Sequence, residues 1–231
     1  MKIRFLLIVL MSIALTSGLF AQTEIQDDIA MIKKNLMDSK EKIKQYEWIE
    51  TTTSFINGEQ KSVKQNQCYY SVDGKLTKVA TGATTQANTP GGVRGKVIAN
   101  KKEEMADYVT VAVAKIQTYL PPDAGKIQNI YGAGKSTIQV LEPNNKFKIS
   151  FPDYNEPGDV LAVSLDRTNK KLMALDVTTS VDDPKQKVVF NITFSNLPDG
   201  TQFQGKTTLD AKEKNLKIVI ENSGFKKAAA K

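Results

Sequence analysis

Histidine is absent from this 231-residue chain, and cysteine occurs once, at Cys68. Without histidine there is no Ser-His-Asp or Cys-His nucleophile system and no imidazole-based zinc site. A single cysteine excludes a disulfide within the chain. Tryptophan also occurs once, at Trp48. Beyond Phe20 no apolar run is long enough to cross a hydrocarbon layer of ~30 Å. What remains is ordinary globular material: 25% charged residues, 40% hydrophobic residues, seven tyrosines and nine phenylalanines. That balance excludes wholesale disorder and supplies enough aromatic mass for a core.

The first residues read as an address. Lys2 and Arg4 precede an apolar run from Phe5 to Leu15, broken only by Ser12. Thr16, Ser17 and Gly18 then lead to Ala21. This is the pattern of a secretory signal peptide over 1–21. Its removal takes away two positive charges and lowers the formal charge from +7 to +5. The expected localisation is periplasmic or secreted, with no transmembrane segment in the mature chain. Cys68, inside Gln67-Cys68-Tyr69-Tyr70, reads as a buried thiol.

After the leader, apolar and polar residues alternate in two different periods. Ile25, Ile29, Ile32, Leu36 and Ile43 mark one face of a helix over Gln22 to Tyr46. From Tyr46 the chain turns to threonines and aromatics, which favour strands. Asn57-Gly58 and Asp73-Gly74 punctuate three such runs, near Tyr46–Phe55, Lys61–Val72 and Lys75–Ala80. Thr81 to Gly95 is rich in glycine and threonine and has no period, so it reads as a loop. Met105, Tyr108, Val109, Ala112, Val113 and Ile116 return to a helical period over Lys101 to Leu120, which Pro121-Pro122 stops. Glu103-Glu104 then falls at the start of that helix, where its dipole favours acids.

Seven further alternating runs follow, separated by turns such as Pro143-Asn144-Asn145, Asp182-Asp183-Pro184 and Pro198-Asp199-Gly200. Phe147, Ile149 and Phe151 share a face, as do Met173, Leu175 and Val177, and Val188, Phe190, Ile192 and Phe194. Strands with one apolar and one polar face need a cover on the apolar side. The expected architecture is α+β: a long curved antiparallel sheet, a half-open barrel, covered by two main helices. It forms a single domain over 22–225, followed by a flexible basic tail over 226–231.

Several motifs suggest chemistry. Gly132-Ala133-Gly134-Lys135-Ser136-Thr137 resembles the end of a phosphate-binding loop, but Asn129 stands where the motif needs its first glycine, and a strand follows instead of a helix. Asp176, Asp182 and Asp183 lack the spacing of a calcium loop, so Asp182-Asp183-Pro184 reads as a turn. Glu47 and Glu50 would fall on opposite faces of a regular strand, which is wrong for a glycosidase pair. No catalytic residues, metal ligands or cofactor are expected, and an exported chain is a poor partner for nucleic acid.

The exported leader, the helix Ile25–Ile43, the strand with Tyr46 and Trp48, the Tyr69-Tyr70…Asp73-Gly74 hairpin end, the covering helix and the late meander occur in one particular order. In that order the chain resembles the periplasmic lipoprotein-carrier fold. The resemblance implies an apolar cavity between curved sheet and helices. Its lining would come from Trp48, Tyr70, Phe147, Phe151, Met173 and Phe190 of the sheet, with Tyr108, Val109, Ala112 and Ile116 of the second helix. It further implies a non-catalytic protein that binds a lipid or other hydrophobic small molecule. The alternative is an interaction or structural module of the cell envelope with a filled core, meeting an envelope protein or an anionic surface.

Overall fold

The structure, a computed structural model, describes residues 30–31, 33–82, 85–86, 92–181, 183 and 185–228. The expected signal peptide, the first turns of the first helix and most of the Thr81–Gly95 segment lie outside these residues.

Residues 30–31 and 33–42 are helical (α1) and pass through a single 3-10 turn, Ile43–Gln45, into β1 (Tyr46–Ile56). β1 reverses into β2 (Glu59–Tyr70) at Asn57-Gly58, where both residues have positive φ, 54° and 76°. Asparagine and glycine are the two residues that tolerate this geometry in a two-residue hairpin. β3 (Leu76–Ala80) and the short β4 (Thr85–Gln86) both pair with β2. Helix α2 (Gly92–Gln117) follows, and then helix α3 (Ala124–Gly132). Seven strands complete the chain as a meander. They are β5 (Thr137–Glu142), β6 (Lys146–Pro152), β7 (Val160–Asp166), β8 (Lys171–Ser180), β9 (Lys187–Asn196), β10 (Gln202–Ala211) and β11 (Leu216–Lys227).

All strands join one antiparallel sheet in the order β3-β2-β1-β11-β10-β9-β8-β7-β6-β5, with β4 beside β2. The last strand therefore pairs with the first, from Tyr46↔Lys227 to Ile56↔Leu216. The sheet is long and curved but not closed, because β3 and β5 end the order without meeting.

Three helices accompany the sheet, rather than the two expected. The addition is α3. Asp123 caps it by accepting from Lys126 N–H at 2.8 Å, and Ile127, Ile130 and Tyr131 form its apolar face. Its end uses Gly134 at φ 69°, with Lys135 N–H reaching Ile130 O at 3.2 Å. The glycine-lysine run is thus a helix C-terminus. The backbone N–H groups that would hold a phosphate belong to the opposite helix end. Helix α2 begins earlier than expected, at Gly92, so Glu103 and Glu104 lie mid-helix and the dipole role assigned to them does not hold. β11 reaches Lys227, so Lys226 belongs to a strand and pairs with Glu47 at 2.8 Å rather than opening a tail.

Two apolar clusters occupy the helix side of the sheet. In the first, Tyr119 and Ile127 pack on Ile149, Phe151, Leu161, Leu175, Val177 and Ile192. In the second, Tyr108, Ala112 and Ile116 of α2 pack on Val188, Leu209, Ala211 and Leu216. Helix α1 closes another part of the sheet: Leu36 joins the first cluster, Asn35 donates to Lys170 O at 2.8 Å, and Ser39 accepts from Gln202 N–H at 3.0 Å.

Candidate functional site

Register decides which side chains face the helices. Leu216 is buried under α2 and pairs with Ile56; the same face then carries Ser54, Thr52 and Glu50 on β1, and Ile218, Ile220 and Asn222 on β11. Across the other side of β1 it carries Ser62, Lys64, Asn66 and Cys68 of β2. Neither apolar cluster extends this far: Ile56 and Ile218 are its outermost members here, and half-buried Ile220 belongs to neither. A largely half-buried strip of mixed chemistry, here termed the trough, therefore runs along β11, β1 and β2. Ile218 and Ile220 provide its apolar stripe, and Thr52, Ser54 and Ser62 provide hydroxyls. Glu50 sits at its side, held by Lys78 at 2.6 Å and by the Asn66 amide at 3.4 Å.

One end of the trough is aromatic. Tyr70, Trp48, Phe225 and Phe203 form a row across β2, β1, β11 and β10. Trp48 and Phe225 stack at 5.5 Å between centroids, and the Trp48 indole N–H donates to Asn222 at 3.0 Å. The row crosses a break in the β1–β11 register between Glu47 and Ile49. Gly224, at φ 65°, supplies the left-handed residue such a bulge requires. Cys68 is fully buried beside Trp48. Burial, and after it the charge of Glu50, push its thiol pKa up, so it is not a reactive thiolate.

The ten residues expected to line a cavity do not come together as one lining. Tyr108, Ala112, Ile116 and Phe151 are buried within the two clusters, where they fill space. Val109 and Phe190 are half-buried at their margins, and Phe190 touches both. Phe147 is half-buried with the Arg167 guanidinium 4.9 Å from its ring centre. Met173 is skipped by a register shift: Leu165 pairs with Leu172 and Ser164 with Ala174, so Leu172 takes the core place expected for Met173. Trp48 and Tyr70 belong to the aromatic row. The residues that sequence reasoning missed are Ile218, Ile220, Thr52 and Ser54. Their alternation is plain in the sequence, but only the β1–β11 pairing shows that they share a surface.

The carboxylates singled out in the sequence are held by neighbours in the fold. Glu47 faces away from Glu50, bonded to Lys226 and to Gln67 at 2.8 Å, so the two carboxylates cannot act on one bond. No group of three potential metal ligands occurs among the described residues. Asp183 organises a turn, accepting from Lys185 N–H at 2.9 Å. A depression of about 670 Å³ lies on the opposite face of the sheet, lined by Thr53, Phe55, Lys206, Lys217, Val219 and Glu221, where Lys206 and Glu221 neutralise each other at 3.1 Å.

At the end of the sheet near α1, the Tyr46 hydroxyl donates to Asp199 at 2.7 Å, and Thr201 N–H adds a second bond at 2.9 Å. These bonds, the Tyr46 one foremost, lower the Asp199 pKa from the ordinary 3.8 to about 2. A carboxylate whose folded pKa is depressed contributes stability above its unfolded value, and that contribution is lost as pH falls through the folded value. Melting temperature is therefore expected to drop between about pH 4 and pH 2, and Tyr46→Phe to flatten that drop. A pH series of thermal melts on both proteins checks this, and parallel curves would refute it.

No protein-family model matches the chain, and no curated protein matches it. Among solved structures the chain is similar to a DUF1329 family protein from Desulfovibrio piger. The identity is 6%, the alignment covers 87% of this chain and 94% of that one, and the TM-score is 0.33.

Proposed function

We propose that this chain is an exported, non-catalytic protein that holds a lipid or another hydrophobic small molecule against the concave face of its sheet. The observation that carries this reading is the trough of β11, β1 and β2, whose inward-facing Ile218, Ile220, Thr52 and Ser54 lie outside the packed clusters or at their margin. An apolar stripe with a few hydroxyls, closed at one end by aromatics, suits an aliphatic chain carrying a polar end. The proposed site is therefore the trough, not the filled space beneath α2. Among the described residues no helix is long and apolar enough to cross a membrane.

The decisive experiment is native mass spectrometry of protein isolated without detergent, with organic extraction of the same sample. A reproducible added mass that extracts as lipid, and that Ile220→Glu abolishes, is the expected result. Bare protein that also refuses a panel of fatty acids and phospholipids would end this reading. A second reading, an envelope interaction module, is favoured by the tight packing of Tyr108, Ala112 and Ile116 beneath α2. It predicts the bare-protein outcome.

A further inference from the structure

The polar groups of the trough fall into two sets. In the first, every group is already bonded within the fold. Glu50 holds Lys78 with both carboxylate oxygens, at 2.8 and 2.6 Å, and accepts from the Asn66 amide at 3.4 Å. Asn222 accepts from the Trp48 indole at 3.0 Å and donates to Gln204 O at 2.9 Å. The second set begins one row further along the strands. Lys64 lies across from Thr52, and Ser62 across from Ser54, on the face that bears the helices. The three hydroxyl residues are half-buried, and among the described residues neither they nor the Lys64 ammonium has a side-chain partner in the fold. On the other side of β1, Ile220 lies across from Thr52 and Ile218 across from Ser54. The trough is thus polarised across its strands: apolar on β11, hydroxyl on β1, cationic on β2. With strands about 4.8 Å apart, only about 10 Å of sheet separates Ile220 from Lys64.

We propose that the ligand of the trough is an anionic amphiphile, whose carboxylate or phosphate head is held by Lys64 with the hydroxyls of Thr52, Ser54 and Ser62 while its tail lies over Ile218 and Ile220. This deepens the function proposed above and rests on it. The donors select the head. An ammonium only donates, and a hydroxyl donates wherever an acceptor is offered. Four such side chains without an internal acceptor suit a group that only accepts. A cationic head would meet Lys64 and find no free carboxylate, because Glu50 is taken on both oxygens by Lys78. A neutral head would use the hydroxyls and leave the ammonium unpaired. Glu50 and Lys78 cancel, so the trough keeps one uncompensated positive charge, on Lys64. Hydrogen bonds from an ammonium to an anion are roughly twice as strong as neutral ones, so the charge of the head sets the affinity.

The test titrates the full mature chain, stripped of lipid, with three amphiphiles of one tail length: dodecanoate, dodecyl phosphate and the neutral monododecanoyl glycerol. Calorimetry measures affinity, and fluorescence of the single tryptophan, Trp48, at the aromatic end of the trough reports occupancy. Wild type is expected to bind the two anions about tenfold more tightly than the neutral compound, and added salt should narrow that gap. Lys64→Gln should remove the gap and leave the neutral affinity unchanged, and Lys64→Arg should restore it. Position 64 is exposed, so both variants are compatible with the fold, and circular dichroism confirms that it is retained. Lys217→Gln, on the opposite face, should behave as wild type. Equal affinity for all three amphiphiles, or a preference for anions that Lys64→Gln leaves intact, overturns the anionic head and leaves the lipid reading standing. Inorganic phosphate that competes as well as dodecyl phosphate also overturns it, because the tail would then contribute nothing. Failure of all three to bind overturns the lipid reading and this proposal together.

Discussion

Asp159→Ala is expected to cost about 3 kcal/mol of stability, and Tyr119→Phe about 1 kcal/mol. The two losses should not add when combined, because both act on one network. Asp159 is 2% exposed. Its Oδ2 accepts from the Tyr119 hydroxyl at 2.5 Å and from the backbone N–H groups of Asn155 and Glu156 at 3.0 and 2.9 Å. The Tyr119 oxygen also meets the Thr179 hydroxyl at 2.9 Å. Since the phenol has one proton and gives it to the carboxylate, Thr179 must supply the other. Burial, and then the neighbouring carboxylate, push the Tyr119 pKa well up, so the phenol stays protonated. Alanine at 159 leaves two backbone donors and a phenol without their acceptor in a closed space, and those losses dominate. This network ties the end of α2 to the loop between β6 and β7, and Tyr154 of that loop accepts from Asp123 N–H at 2.6 Å where α3 begins. Urea titrations at constant m-value measure each loss. Strictly additive losses would show that Tyr119 and Asp159 are not one unit.

Phe151→Ala is expected to cost about 3–5 kcal/mol, the range for removing a large buried ring. Phe147→Ala, four residues away on the same strand and face, should cost about 1 kcal/mol. Phe151 is 1% exposed and lies in the first cluster with Ile149, Leu161, Val177 and Tyr119. Its removal leaves a hole that α3 cannot fill, because the strands on either side are pinned by their ladders. Phe147 is half-buried, covered by the Arg167 guanidinium, and the site can close partly after truncation. At ~2–4 °C per kcal/mol for a chain of this size, the first variant should melt roughly 10 °C below wild type and the second only a few degrees below. Equal shifts would mean that the cluster is not the centre of the core.

The strands were legible because their alternation is local. The runs near Lys146–Phe151, Val160–Leu165 and Val188–Ser195 need only a period of two and a turn residue at each end, and each strand appears within a residue or two of its expected place. Asn57-Gly58 was legible for the same reason, since positive φ at two successive residues restricts the choice of side chain. Helix α3 escaped because its nine residues carry one short apolar face, Ile127, Ile130 and Tyr131, between prolines and glycines that read as loop. Met173 was misplaced because a bulge shifts parity and leaves no mark in composition.

What the sequence determined by itself is everything that depends on neighbours along the chain: the absence of histidine chemistry, the strand-rich α+β class, the turns and the apolar face of each strand. What only the tertiary structure decided is which of those faces meet. β1 and β11 lie about 170 residues apart along the chain, and their pairing is what sets Ile220 beside Thr52 and Trp48 beside Phe225. Period-two patterning tells a strand which face to bury and says nothing of its partner, because many registers bury that face equally well. Helices α1, α2 and α3 pack over some stretches of one face of the sheet and leave the β11–β1–β2 strip outside their clusters or at their margin.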